Sequence, residues 1–164
     1  MKHLLLVRHA KSSWDDSSMN DIDRPLNDRG KKDAPKMAER LLDKKVKIDG
    51  FYSSPAKRAL ATCELFVKEY DKKKKNIIEV AELYEPHVEN FFNVVKGADN
   101  DFDTIALFSH NPGITAFVNQ LTDVKVDDMP TCSIFAIKID IKKWDEFEEA
   151  EKLFWFFEYP KLKE

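Results

Sequence analysis

The stretch Leu4-Leu5-Leu6-Val7-Arg8-His9-Ala10 decides how this chain is read. Four apolar residues run together and end abruptly in charge. So short a run, apolar at every position, predicts a strand buried on both faces, as in a parallel sheet. In open α/β sheets ligands bind past the carboxyl ends of the strands, which is where Arg8 and His9 fall. Residues 11–27 are polar, rich in Ser, Asp and Asn, and read as a loop. Asn27-Asp28-Arg29-Gly30 leads into a helix ending near Asp43, with Ala34, Met37, Ala38, Leu41 and Leu42 at helical spacing. Pro35 is expected early in that helix, where a first turn tolerates it.

Ile48 to Ser53 reads as a second strand. Ser54 is expected to cap the next helix, with Pro55 at its first position and its end near Tyr70. Lys72 to Lys75 reads as a solvated turn. Ile77 to Ala81 is the third strand, residues 86–100 hold a short helix, and Thr104 to Phe108 is the fourth strand. A helix from about Ile114 to Leu121 precedes a fifth strand, Ser133 to Ile139. The aromatic segment Leu153 to Glu158 is the sixth, with core packing expected for Phe154-Trp155-Phe156-Phe157. Strands alternating with helices predict an α/β fold, a three-layer αβα sandwich around a mostly parallel sheet. No linker or repeat divides the chain, so residues 1–164 are read as a single domain.

The bulk composition agrees. A chain of 164 residues, 43% hydrophobic and 35% charged, suits one folded domain. A formal net charge of −3 gives no reason to expect a nucleic-acid partner. Cys63 and Cys132 form no metal pattern and suit a reduced, cytoplasmic setting. No apolar run approaches the ~18 residues of a membrane span, so no membrane partner is expected.

Polar residues recur just past strands or early in the following helix: Arg8-His9, Ser53-Ser54-Pro55 with Arg58, Glu82 to Glu85, and Ser109-His110. Residues distant in sequence can converge at those ends. Two histidines, two arginines and a carboxylate suit phosphoryl transfer through a covalent intermediate. Neutral imidazole is a good nucleophile near pH 7, its unperturbed pKa being ~6.5. Arginine offers a fork of donors matching phosphate oxygens, and a carboxylic acid can protonate a leaving group. Each element alone has a plainer reading as an ion pair, a cap or a turn; the argument rests on their recurrence. His3 is read as a cap at the strand start, and His87 as lying in the connection before the fourth strand.

Arg8-His9-Ala10, Arg24-Pro25-Leu26 with Arg29-Gly30, Ser54-Pro55-Ala56-Lys57-Arg58 and Ser109-His110-Asn111-Pro112-Gly113 resemble the histidine phosphatase superfamily, and more narrowly its phosphohistidine phosphatase (SixA-like) branch. The resemblance implies a phosphoglycerate mutase-like fold and His9 as the phosphorylated nucleophile. It implies that Arg8, Arg58 and His110 complete the phosphate pocket. It implies a proton donor after the third strand, with Glu82 first and Glu85 second, and no metal or organic cofactor. The broad family has Gly after the histidine where this chain has Ala10, which suits the SixA-like branch. Phosphoglycerate mutases have Asn where this chain has Asp15. Arg24 either binds substrate or anchors its loop by a salt bridge. Lys11 either meets a second anionic group or is solvated.

Larger members carry a cap between the third and fourth strands. Residues 82–103 leave no room for a large one. An open site favours a phosphorylated protein, with phosphohistidine foremost, over a small phosphate ester. A mutase or small-molecule phosphatase on the same fold, and a non-catalytic module that binds phosphorylated partners, are the alternatives.

Overall fold

Alternation along the first strand divides the core. The computed structural model describes residues 1–162. In it β1 (Lys2–Arg8) sends Leu4 and Leu6 to one hydrophobic cluster and Leu5 and Val7 to another. Its neighbour β4 (Thr104–Ser109) does the same, with Ile105 and Leu107 on one side and Ala106 and Phe108 on the other. β5 (Ile134–Ile139) follows suit with Phe135 and Ile137 against Ile134 and Ala136. A period of two thus makes two cores from one sheet. Helices α1 (Asp28–Asp43) and α2 (Lys57–Glu69) cover the face of Leu5 and Val7. Helices α3 (Val88–Lys96) and α4 (Gly113–Val118) cover the other. With β2 (Gly50–Ser53), β3 (Ile77–Glu79) and β6 (Lys152–Glu158) the sheet has six strands in the order β3-β2-β4-β1-β5-β6. The pairings β2–β3, β2–β4 and β1–β4 are parallel, while β1–β5 and β5–β6 are antiparallel. This is the expected three-layer sandwich. Between β3 and β4 the chain forms only a 3-10 turn, Ala81–Leu83, and α3, so no large cap is present.

Local expectations fail in several places, among them Phe154, which is exposed on the edge strand β6 and not packed in the core. Pro35 lies in the middle of α1, not its first turn, and Asn27 caps the helix by accepting from the Gly30 N–H at 2.9 Å. An interior proline costs a helix about 3 kcal/mol. Burying Ala34, Met37, Ala38 and Leu41 completely outweighs that, since a large apolar side chain contributes about 1.5–3 kcal/mol. Helix α2 begins at Lys57, so Ser54 is not its cap and Pro55 not its first residue; the chain bends at Pro55 and Ala56 before the helix starts. Strand β3 stops at Glu79, because the chain tightens into the Ala81–Leu83 turn. His3 lies inside β1 and packs on the Trp155 ring at 4.7 Å, so it caps nothing. Among the described residues no helix is long and apolar enough to cross a membrane.

One close approach ties α4 to the segment before α3. A Cβ on Gly113 would lie 2.4 Å from the Pro86 carbonyl oxygen, a backbone atom that cannot step aside alone. Gly113→Ala is therefore expected to cost about 1–3 kcal/mol, as overpacking does. Urea denaturation would show it as a lower midpoint at unchanged slope.

Candidate active site

After β1 the chain crosses to β2 on one side of the sheet; after β4 it goes to β5 on the other. The crevice at the carboxyl ends of β1 and β4 is thus a topological switch point, the usual ligand position in such sheets. The register pairs Arg8 with Ser109, and the His9 N–H donates to the Ser109 carbonyl at 3.1 Å. The next residue on each strand is a histidine. The His9 and His110 rings lie 5.1 Å apart and both side chains are buried.

Hydrogen bonds fix the two imidazoles in opposite senses. His9 Nδ1 lies 2.7 Å from the Ala10 carbonyl oxygen. A carbonyl only accepts, so Nδ1 carries the proton and Nε2 keeps its lone pair. His110 Nε2 lies 2.7 Å from the Ser54 hydroxyl. That hydroxyl already accepts from the Ala56 N–H at 3.1 Å, so its hydrogen is free to donate to Nε2. In the neutral ring His110 Nδ1 then carries the one N–H, and it is buried without a partner. Burial lowers the His9 pKa to about 4; the hydrogen bond to Ala10 opposes this, and the charges of Arg58, Arg8 and Arg24 reinforce it. Burial, then His9 and Arg58, lowers that of His110 to about 3. Both rings are neutral at pH 7.

The arginines converge from three elements. Arg8 donates from Nη1 to the Met129 carbonyl at 2.8 Å. Arg58, in the first turn of α2, donates from Nη1 to the Asp21 carbonyl at 2.7 Å and from Nη2 to the Asp21 carboxylate at 3.0 Å. Arg24 donates to Asp21 at 3.2 Å and to the Ser12 hydroxyl at 2.8 Å. The Tyr84 hydroxyl donates to the same Asp21 carboxylate at 2.7 Å. Burial pulls the Asp21 carboxyl upward, but Tyr84 and the two arginines outweigh it and hold it at about 2. Arg8 Nε, Arg58 Nε and His110 Nδ1 are buried polar atoms with no partner. Buried donors are normally satisfied. Three such atoms, on Arg8, Arg58 and His110, are left without a partner, and the same three side chains line the cavity that holds His9.

Of the residues singled out in the sequence, Arg8, His9, Lys11, Arg24, Arg58 and His110 line one cavity of about 480 Å³. Arg24 fits both of its readings, since it pairs with Asp21 and also lines the cavity. Lys11 is exposed and opens onto a neighbouring hollow of about 370 Å³ with Thr131. Glu82 is exposed on the 3-10 turn and lines neither this cavity nor the adjoining one. Glu85 lines the adjoining cavity, which shares Arg58 and His110 and also contains His87. The larger concavity of about 710 Å³ beside α2 contains none of the strand-end residues. Sequence reasoning missed Asp21, Ser54 as the partner of His110, and Thr62. The Thr62 hydroxyl accepts from the Ala10 N–H at 2.9 Å and donates to the Arg58 carbonyl at 2.7 Å, joining the His9 loop to α2. The spacing Asp21-x-x-Arg24 was the one sequence signal for the Asp21 pair.

Fold and site define an α/β protein with a strand-end histidine pair ringed by arginines. Residues 4–94 match the model of the histidine phosphatase superfamily (branch 1), and the chain belongs to that family. It is 28% identical over 155 residues to an uncharacterized chloroplastic protein of Arabidopsis thaliana, covering 88% of this chain and 70% of that one. It is 35% identical over 89 residues to a 2,3-bisphosphoglycerate-dependent phosphoglycerate mutase of Pelagibacter ubique, covering 53% of this chain and 37% of that enzyme. Its fold matches that of the protein histidine phosphatase SixA complexed with tungstate at a TM-score of 0.81 and 22% identity, covering 96% of this chain and 97% of the other.

Two outcomes follow from the histidines. In an NMR titration His9 is expected to stay neutral down to about pH 4, well below its ordinary value of 6.5. Between those values the unfolded chain binds more protons than the folded one, so stability falls as pH falls through that window. His9→Gln should flatten the slope measured by urea denaturation. Ser54→Ala should leave His110 Nε2 without its donor, and a changed His110 ring ¹⁵N pattern would report the altered tautomer.

Proposed function

We propose that this protein is a metal-independent phosphatase that hydrolyses a phosphoryl group through a covalent intermediate on His9, and that its substrate is phosphohistidine in a protein. The observation that carries the reading is the His9 Nδ1 contact with the Ala10 carbonyl at 2.7 Å, which leaves Nε2 as a neutral nucleophile in a cavity also lined by Arg8, Arg58 and His110. In the first step the Nε2 lone pair forms a bond to phosphorus. The bond to the leaving group breaks, and its electron pair stays on the departing atom. In the second step water attacks the phosphorus, the bond to Nε2 breaks, and inorganic phosphate leaves with His9 neutral again. Arg8, Arg58 and the His110 Nδ1–H stabilise the charge on the transferring oxygens. Arg24 and Lys11 add positive charge at the cavity mouth.

Two features favour phosphohistidine over an alkyl phosphate. The carboxylates lining the two cavities, Asp15, Asp21 and Glu85, are all solvent-exposed. A carboxylic acid kept protonated at neutral pH generally needs burial. A phosphohistidine ring that already carries a proton on its other nitrogen departs as neutral imidazole, whereas an alkoxide must be protonated as it leaves, so the ring needs less help from a protein acid. Glu82, outside both cavities, is set aside as the donor, and Glu85 is the carboxylate placed to act where a donor is required. The site is also open, since Ala81–Leu83 and α3 alone separate β3 from β4. Similarity to SixA in fold and to a mutase in sequence supports phosphoryl chemistry on this histidine. Free phosphate as product separates the hydrolase from a mutase.

Incubation with a phosphorus-labelled phosphohistidine peptide should place label on the protein in an acid-labile, base-stable bond. His9→Ala should abolish that label and reduce turnover by roughly 10³-fold or more. Label and turnover that survive the substitution exclude the mechanism. Arg58→Ala should reduce kcat/KM by about 10²–10³-fold, the usual cost of removing a preorganised donor.

A further inference from the structure

Trp14 is the most exposed of the large apolar side chains among the described residues, at 76%. It lies in an otherwise polar loop and lines the same cavity as His9 and Arg58. The Arg24 guanidinium lies 3.5 Å from its ring centroid, within stacking distance. Arg24 is itself buried and tied down by hydrogen bonds. It is 7% exposed and is held by the Asp21 carboxylate, the Ser12 hydroxyl and the Ser13 carbonyl at 3.2, 2.8 and 3.3 Å. The indole is therefore propped on a fixed cation, with most of its surface uncovered at the mouth of the phosphoryl cavity.

An indole left in water at the edge of a site, but held still, has paid its ordering entropy before a ligand arrives. An aromatic ring stacks on a second ring more strongly than on an alkyl chain of similar area. We propose that Trp14 is a specificity-determining residue: it stacks the flat ring that bears the phosphoryl group, so the site prefers phosphoryl groups on aromatic or heteroaromatic rings to those on alkyl chains. The inference rests on the proposed phosphoryl site and adds a preference for the leaving group. An imidazole bearing the phosphoryl meets it, and so does a phenyl group. The preference comes from stacking and does not require a proton donor.

Phenylphosphonate and methylphosphonate test this without turnover, since both carry the phosphonate and neither is hydrolysed. Calorimetry on the full chain should show phenylphosphonate binding about three- to tenfold more tightly, the span that one aromatic pair provides. Trp14→Ala should remove that preference and leave methylphosphonate affinity unchanged, because Arg24 keeps its other three contacts. Trp14→Phe should restore part of it. A preference that survives in Trp14→Ala overturns the proposal. So does equal weakening of both ligands, which would make Trp14 a mere support for Arg24. If His9 takes the label but the two phosphonates bind wild type equally, only the role of Trp14 falls. If neither phosphonate binds and His9 takes no label, the phosphoryl site itself falls with it.

Discussion

The parallel pairing of β1 with β4 is the constraint on which the rest depends. Because both faces of these strands are apolar, alternation alone does not set their register: a slip by one residue would exchange one set of apolar side chains for another. The ends set it instead. At one end the buried Lys2 ammonium donates to the Asn100 and Phe102 carbonyls at 3.0 and 2.9 Å, and the His3 N–H donates to the Asp103 carbonyl at 2.9 Å. At the other, the His9 N–H meets the Ser109 carbonyl. A slip would break these bonds and part the two histidines, so polar contacts at the strand ends hold the nucleophile beside its partner.

Burial and charge act together on that pair. Removing His9 and His110 from water disfavours their charged forms, and the arginines nearby disfavour them further. The rings are thus neutral while the field around them is positive, as a neutral nucleophile facing an anion requires. The arrangement carries a cost, since a buried donor without a partner costs about 1–3 kcal/mol. Arg8 Nε, Arg58 Nε and His110 Nδ1 each carry that cost, and the fold holds their side chains in place through bonds made elsewhere, Arg8 to Met129 and Arg58 to Asp21 among them.

Much of this was legible in the sequence because its signals are local. The apolar run Leu4 to Val7, the charge that ends it and the strand–helix alternation located β1, the sheet and four site residues without any long-range information. Where the sequence misled, a contact through space displaced a local preference. Ser54 has the chemistry of a helix cap, but His110, distant by 56 positions, takes its hydroxyl. Pro35 suits a first turn, but the burial of its neighbours carries α1 through it. Asp21 looked like one acidic residue of a polar loop; its partners Arg58 and Tyr84 lie 37 and 63 positions away. Strand-end position and the family pattern both favour Glu82, but it is exposed on the turn after β3 and lines neither cavity.

Asp21 shows how the loop and the site are one construction. Its carboxylate joins Arg24, Arg58 and Tyr84, and so links the loop that carries Trp14 to α2 and to the turn after β3. Without an anion in the cavity the arginines would repel one another across low-dielectric space; one carboxylate between two of them relieves that repulsion. Asp21 binds the Nη groups of Arg58 and so fixes the guanidinium where that residue lines the cavity beside His9. The same carboxylate holds Arg24, on which the Trp14 ring rests. The group that steadies the arginines therefore also fixes the surface that an arriving substrate meets first.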